Sequence, residues 1–208
     1  CVTAACLARE GHEVIGVDTN ELKVDLLNQG KSPIIEKDLD RILDEVVNQR
    51  QGSLTATGDG PKAVLETDVS LVCVGTPSKS NGSLSLEAVR NCAKELGSGV
   101  KLKKDYHVVA VRSTMLPGTV ENVIVKEIEF WSGKRAGQDF GVAMNPEFLR
   151  ESTSIEDFYN PPVTVIGELD QRSGDTVEAL YGFVQAPCQR TDIKTAEMIK
   201  YANNAFHA

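Results

Sequence analysis

Four apolar runs in this sequence end in side chains suited to ligand contact: Asp18, Gly75-Thr76-Pro77, Ser113-Thr114 and Asn145-Pro146-Glu147. If the runs are parallel strands, all four endings share one edge of a sheet, and ligands bind beyond that edge. Turns also favour Gly, Pro, Ser and Asn, so plain punctuation would look similar. Asp18 is the most informative of the four. A dinucleotide-binding unit runs from a glycine loop through a helix to a strand, whose terminal acid lies about 20 residues on and bonds the adenosine ribose. Asp18 closes the first strand of the chain, so that glycine loop would lie before Cys1. An Asp there favours NAD over NADP, because it would repel a 2′-phosphate. An acid that merely opens a turn has the same appearance.

Glu147 and Glu151 stand four apart behind Asn145-Pro146, which fit the N-cap and first position of a short helix. That spacing predicts both carboxylates on one helical face. There they could orient a nicotinamide, bind a sugar hydroxyl, or act as a base on water. A favourable dipole interaction at a helix start would also explain them. Further on, Lys200, Asn204 and His207 share one stripe, with Met198, Ile199, Ala202, Ala205 and Phe206 opposite. On periodicity alone that stripe reads as a solvated face.

The elements that would hold these groups alternate. Strands are predicted at 12–18, 54–57, 69–75, 107–112, 140–144 and 163–167, and helices at 1–9, 21–29, 38–50, 61–66, 86–97, 120–129 and 174–184. Gly11 fits the position just past the first helix. Apolar strands alternating with helices indicate an α/β fold, a doubly wound, mostly parallel sheet covered on both faces. The predicted organisation is a Rossmann-like domain over residues 1–190, followed over 191–208 by the start of another helix.

Composition sets the outer limits. The formal charge of −8 disfavours nucleic acid and anionic membranes as partners, since both call for a basic face. No apolar run approaches the roughly 20 residues a membrane helix needs. Five cysteines show no metal-ligand spacing, no metal site is expected, and buried intracellular thiols are the favoured reading. Cys73 and Cys188 fall in or beside strands. The chain opens without Met inside a helical pattern and closes inside another, so both termini read as cut.

Five segments carry a resemblance: Gly11-His-Glu-Val-Ile-Gly-Val-Asp18, Cys73-Val-Gly-Thr-Pro77, Arg112-Ser-Thr-Met-Leu-Pro-Gly-Thr119, Asn145-Pro-Glu-Phe-Leu-Arg-Glu151 and Ala196-Glu-Met-Ile-Lys-Tyr-Ala-Asn-Asn204. In this order they resemble the UDP-glucose/GDP-mannose dehydrogenase family, across almost the whole chain. Gly30-Lys-Ser-Pro33, Thr164-Val-Ile-Gly-Glu-Leu-Asp170 and His207 look like the family's GDP-mannose branch. The resemblance implies a cytoplasmic NAD-dependent oxidation of a sugar C6 alcohol to a carboxylate, through a cysteine-bound thioester that water hydrolyses. GDP-mannose to GDP-mannuronate, for polysaccharides such as alginate, is the leading reading; a UDP-sugar is the alternative.

By the same resemblance, Asp18 and Lys23 hold the adenosine ribose, while Thr76 and Thr114 line the nicotinamide half with Glu151 beside them. Glu147, Leu149 (through its backbone), Glu151, Lys200, Asn204 and His207 would contact the nucleotide sugar. Lys200 can supply the cation that a developing oxyanion needs, and Asn204 can bond the same oxygen or the attacking water. Glu151 is the candidate base and Glu147 the second choice. No cysteine here matches the setting of the family's nucleophile, so the chain alone is expected to be inactive, while the full-length parent, a homodimer or larger homo-oligomer, is expected to be active. A non-catalytic nucleotide-binding module is the rival from another class. A glycine-flanked cysteine downstream would decide for the enzyme.

Overall fold

The computed structural model describes residues 1–49, 53–78, 80 and 82–206. By their internal contacts these residues form two compact units, one of residues 1–63, 148–162 and 183–186, the other of 64–147, 163–182 and 187–208.

In the first unit, α1 (Val2–Arg9) leads to β1 (Val14–Val17), α2 (Glu21–Asn28) and α3 (Leu39–Asp44). A π-helical segment, Glu45–Gln49, extends α3, and β2 (Leu54–Thr57) follows. Gly11 ends the first helix with φ +100°, a left-handed conformation that strains any residue with a Cβ. β1 and β2 pair in parallel, from Val14 against Leu54 to Val17 against Thr57. The core of this unit is helical: Ala5, Cys6, Leu39, Ile42, Leu43 and Val46 are all fully buried. β1 itself is only half-buried, and Val17 is 45% exposed, less buried than its apolar run predicts. A six-residue helix, α7 (Ser154–Tyr159), completes the unit; here Phe158 stacks on Phe183 with centroids 5.9 Å apart. Between the two stretches α4 (Gly60–Glu66) carries the chain from one unit to the other.

The second unit is built on a five-stranded sheet in the order β3 (Val69–Val72), β4 (Val108–Val111), β5 (Gly141–Met144), β6 (Thr164–Glu168) and β7 (Cys188–Asp192). All neighbours are parallel except β5 and β6, which pair antiparallel with Met144 opposite Gly167. Antiparallel neighbours need no crossover helix, and the 145–163 connection carries only the short α7, which belongs to the other unit. Every residue of β4 and β5 is buried, as their Val-rich runs require of strands covered on both faces. α5 (Glu87–Leu102) buries Val89, Ala93, Leu96 and Val100, spaced at helical turns. It packs on the helix that runs from a π-helical Val120–Val125 into α6 (Lys126–Ser132). α8 (Gln171–Ala179) is capped by Asp170, whose side chain accepts from the Ser173 N–H.

The last helix, α9 (Ile193–Phe206), starts directly from β7 and rests against β6. At Gly167 an added Cβ would stand 2.6 Å from the Ala196 Cβ and 2.8 Å from the Asp192 carbonyl. The missing side chain therefore sets how closely α9 approaches the sheet.

Candidate functional site

Asp18 follows immediately on β1, and its N–H continues the ladder to Thr57 O at 3.3 Å. The carboxylate turns towards α2: Oδ1 accepts from the Asn20 N–H at 2.9 Å and Oδ2 from Lys23 Nζ at 3.4 Å. Asn20 caps α2 by accepting from the N–H groups of Leu22 and Lys23, which fixes Lys23 on the first turn. The sequence thus brings Asp18 and Lys23 together at a strand end, in the first unit. A carboxylate accepts about four hydrogen bonds, so capacity remains for a vicinal diol. The pair is largely exposed and contributes at most about 1 kcal/mol to stability.

The predicted helix behind Asn145-Pro146 does not form: residues 145–150 belong to neither helix nor strand, a turn follows, and α7 begins only at Ser154. Asn145 is no helix cap, because its side chain is committed elsewhere. Oδ1 accepts from Arg112 Nη1 at 2.6 Å and from the Tyr181 hydroxyl at 2.7 Å, while Nδ2 donates to Val165 O at 2.9 Å. Glu147 and Glu151 therefore share no helical face. Between Glu147 and Phe148 the chain passes from the second unit to the first.

Leu149 is half-buried and Glu151 exposed in the segment that belongs to the first unit. The turn bearing Glu151 is braced on either side. Arg150 before it donates to Asp157 from its backbone N–H at 2.9 Å, from Nε at 3.1 Å and from Nη2 at 2.6 Å. That guanidinium holds the Asp157 carboxyl down at about 2. Ser152 after it takes φ 69° and donates its N–H to Glu36 Oε2 at 3.2 Å.

In the second unit, Thr76 and Thr114 follow β3 and β4, and the structure joins them: Thr76 Oγ1 donates to Thr114 O at 3.0 Å. Ser113 Oγ donates to Val74 O at 2.6 Å, binding the two loops a second time. Parallel neighbours in register make this possible, since Val72 lies opposite Val111.

Lys200 overturns the solvated-face reading of α9. It is 5% exposed and lies on the buried side with Ile193, Ala196 and Glu197. Its Nζ donates to the carbonyl oxygen of Glu147 and, at 3.1 Å, to Glu147 Oε1. The stripe drawn through Lys200 and Asn204 divides here, because Asn204 is exposed; so are Met198 and Phe206, from the side read as apolar. His207 lies outside the described residues.

Three participants escaped the sequence. Arg112 is buried at the end of β4 with Asn145 and Tyr181 on its Nη1, and burial pushes the Tyr181 phenol up while Arg112 pulls it down. Its signal was present, as a lone cation closing an apolar run. Glu197 is fully buried and accepts from the Gly118 and Val120 N–H groups. Tyr181 had no signal.

The cysteines also differ from expectation. Cys6 is buried and pushed up to about 11 by desolvation, but Cys73 lies past the end of β3 and is exposed, as are Cys1 and Cys188. Among the described residues no group of three His, Cys, Asp or Glu could hold a metal ion. No helix among them is long and apolar enough to cross a membrane.

What these arrangements can do is hold a diol at Asp18, line a ligand with Thr76 and Thr114, and present a buried ammonium beside a carboxylate. Residues 1–185 match the family model of the UDP-glucose/GDP-mannose dehydrogenase family, NAD binding domain. The chain is similar to GDP-mannose 6-dehydrogenase of Pseudomonas aeruginosa, 53% identical over 207 residues, covering 100% of this chain and 47% of that protein. It is 40% identical over 210 residues to the UDP-glucose 6-dehydrogenase AglM of Haloferax volcanii, covering 99% of this chain and 48% of that protein. Its fold matches the crystal structure of a ternary complex of GDP-mannose dehydrogenase from Pseudomonas aeruginosa with TM-score 0.96 at 53% identity, covering 99% of this chain and 47% of the other. A UDP-glucose dehydrogenase from Pyrobaculum islandicum matches with TM-score 0.93 at 36% identity, covering 99% of this chain and 46% of the other. The chain thus spans about half the length of the relatives it matches.

Proposed function

We propose, from the premise that this chain belongs to the UDP-glucose/GDP-mannose dehydrogenase family, that it forms the NAD-binding part of a nucleotide-sugar 6-dehydrogenase. The observation that carries this reading is the buried Lys200 ammonium held against Glu147. A buried cation costs free energy unless it is paired and hydrogen-bonded. An enzyme that must stabilise an oxyanion at a sugar C6 has a use for one.

NAD, when bound, takes up the hydride that leaves C6. The residues of this chain do the rest of the work assigned here. Asp18 accepts from the adenosine ribose hydroxyls, with Lys23 beside it. A carboxylate between capped helix and strand end suits that diol, and its charge disfavours NADP. Thr76 and Thr114 line the nicotinamide half, their loops locked by the hydrogen bond between them. Lys200 stabilises negative charge developing on the C6 oxygen. Asn204, one turn further along α9, bonds that oxygen or the attacking water. Glu147 is engaged by Lys200 through one carboxylate oxygen, which leaves the exposed Glu151 as the base for hydrolysis.

The substrate we infer is GDP-mannose, oxidised in four electrons to GDP-mannuronate. Support comes from the 53% identity with GDP-mannose 6-dehydrogenases against 40% with a UDP-glucose 6-dehydrogenase, over nearly the same residues. The reading includes a cytoplasmic homodimer or larger homo-oligomer, on family grounds alone. The test is to supply the full-length protein that carries this chain with NAD and either GDP-mannose or UDP-glucose. Two NADH per GDP-mannose, with little formed from UDP-glucose, is the expected result. Preference for UDP-glucose would move the protein to the other branch, and inertness towards both would remove the enzymatic reading.

A further inference from the structure

Glu197 sits three residues before Lys200 on α9, and both are buried. Its two carboxylate oxygens accept separately: Oε2 from the Gly118 N–H at 2.5 Å, and Oε1 from the Val120 N–H at 2.8 Å. These donors stand at the start of the helix that begins with Val120, where the first N–H groups have no partner within the helix. Thr119, the residue in the capping position, does not cap, because its hydroxyl donates back to Leu116 O at 2.6 Å. A carboxylate from a distant element has taken over that task. Gly118 can offer its N–H because it adopts φ +89° after Pro117.

Burial pushes the Glu197 carboxyl upward and the two N–H groups pull it back. Glu121, on the helix it caps, adds a repulsion, and Lys194 answers Glu121 across the surface at 2.9 Å. A buried acid facing another acid is a costly way to fill space, since a neutral side chain could do so without the desolvation cost. What it does provide is a fixed distance. The loop it grips begins at Ser113-Thr114, which carries a proposed nicotinamide contact. The helix it belongs to carries Lys200, whose Nζ reaches Glu147. One end of α9 is set by Gly167, which lets Ala196 approach β6.

We infer that Glu197 is a positioning residue: it clamps α9 to the loop after β4, and so sets where the Lys200 ammonium stands relative to Thr114 and Glu147. The inference rests on the proposed role of Lys200 in nucleotide-sugar oxidation, but its geometry can be read separately. The substitution Glu197→Gln would keep the volume, yet it would turn an NH2 group towards an N–H donor and lose one of the two bonds. Displacement of a catalytic group by a fraction of an ångström to an ångström is costly for turnover.

The experiment uses the full-length protein and the variants Glu197→Gln, Glu197→Asp and Ile193→Val. The last is a core change on the same helix that touches no polar group. Two quantities are measured on folded protein well below its melting temperature: steady-state kinetics, and the rate of reductive methylation of Lys200 by mass spectrometry, with exposed Lys101 as the reference. Glu197→Gln is expected to lower kcat about tenfold or more with KM for NAD little changed, and to raise Lys200 labelling several-fold. Ile193→Val should do neither, although it also loosens the core. If Glu197→Gln does not fold, Glu197→Asp, which keeps the charge and shortens the reach, carries the same expectation in weaker form. Unchanged kcat and unchanged labelling would overturn the inference. So would equal effects from Ile193→Val, which would reduce Glu197 to general stability. A wild-type protein that oxidises no nucleotide sugar, but whose Lys200 labelling still rises in Glu197→Gln, would sink the enzymatic reading and leave the clamp standing.

Discussion

Lys200 and Glu147 meet twice: the ammonium donates to both the carbonyl oxygen and the carboxylate of the same glutamate. The two residues are 53 positions apart, one on α9 and the other past the end of β5. A side chain and a backbone group of one residue cannot both hold a cation unless the local chain is fixed. Asn145, pinned by Arg112, Tyr181 and Val165 O, fixes it.

Replacing Glu147 by Ala removes one acceptor from a cation that stays buried. Stability should fall by about 1–1.5 kcal/mol, below the range of about 1.5–3 kcal/mol for a charged hydrogen bond because the glutamate is itself partly exposed. Denaturant unfolding at neutral pH measures this. A change within about 0.5 kcal/mol, as at an ordinary surface position, would show that Lys200 does not depend on Glu147.

Asp18 predicts cofactor choice without much effect on stability. Asp18→Ala loses only an exposed ion pair and a turn hydrogen bond, so unfolding should shift by about 1 kcal/mol or less. Affinity for NAD should fall at least about tenfold, the loss of one charged hydrogen bond or two neutral ones. Binding of NADP should improve relative to NAD. Fluorescence titration with both dinucleotides reads this; an unchanged NAD affinity would remove Asp18 from the cofactor site.

His107 predicts how stability depends on pH. The ring is buried, with Nδ1–H donating to Thr67 O at 2.9 Å and Nε2 accepting from the Ser70 hydroxyl at 2.8 Å, a pairing that suits the neutral tautomer. Burial pushes its pKa down from 6.5 to about 4; Lys103 adds to this, while the Thr67 carbonyl and Asp68 oppose it. A depressed folded pKa means that the unfolded chain takes up the proton first. The stabilisation is therefore present above 6.5 and is lost as pH falls towards 4. Linkage gives a loss of about 2 kcal/mol between pH 7 and pH 5. His107→Asn should be less stable at pH 7 and lack most of that slope. An identical slope in the variant would show that other groups carry it.

At Gly167, a methyl group would collide with the Ala196 Cβ at 2.6 Å and the Asp192 carbonyl at 2.8 Å. Gly167→Ala should cost about 1–3 kcal/mol, as overpacked cores do, and should lower turnover by tilting α9. Wild-type kinetics in this variant would mean that α9 can shift without consequence for Lys200.

The sequence was most legible where burial is symmetrical. β4 and β5 are covered on both faces, so their Val-rich runs announce themselves. β2 is found at Leu54–Thr57 as read. Edge strand β7 is Cys-Gln-Arg-Thr-Asp, mostly exposed and polar, and offers no apolar run to find. Asn145-Pro146 failed as a helix signal because long-range partners claim the amide, and no local pattern encodes Arg112 or Tyr181 as those partners. Lys200 was misplaced for a related reason. Periodicity assigns charged residues to the solvent face, and it cannot know that Glu147 waits on another element to receive one. The α/β class and the residue set at the strand ends could be read locally; the pairings that make a site were tertiary.

The most direct test of the whole account is the turnover of the full-length protein with GDP-mannose and NAD at saturation, wild type against Lys200→Met. The methionine keeps the unbranched shape, one atom shorter, and fills most of the buried space, while the charge is gone. Loss of an oxyanion-stabilising group predicts a fall in kcat of about 10²–10³-fold, with KM for NAD nearly unchanged. A Lys200→Met enzyme that turns over within about threefold of wild type would contradict it, because no role would then remain for the buried ammonium.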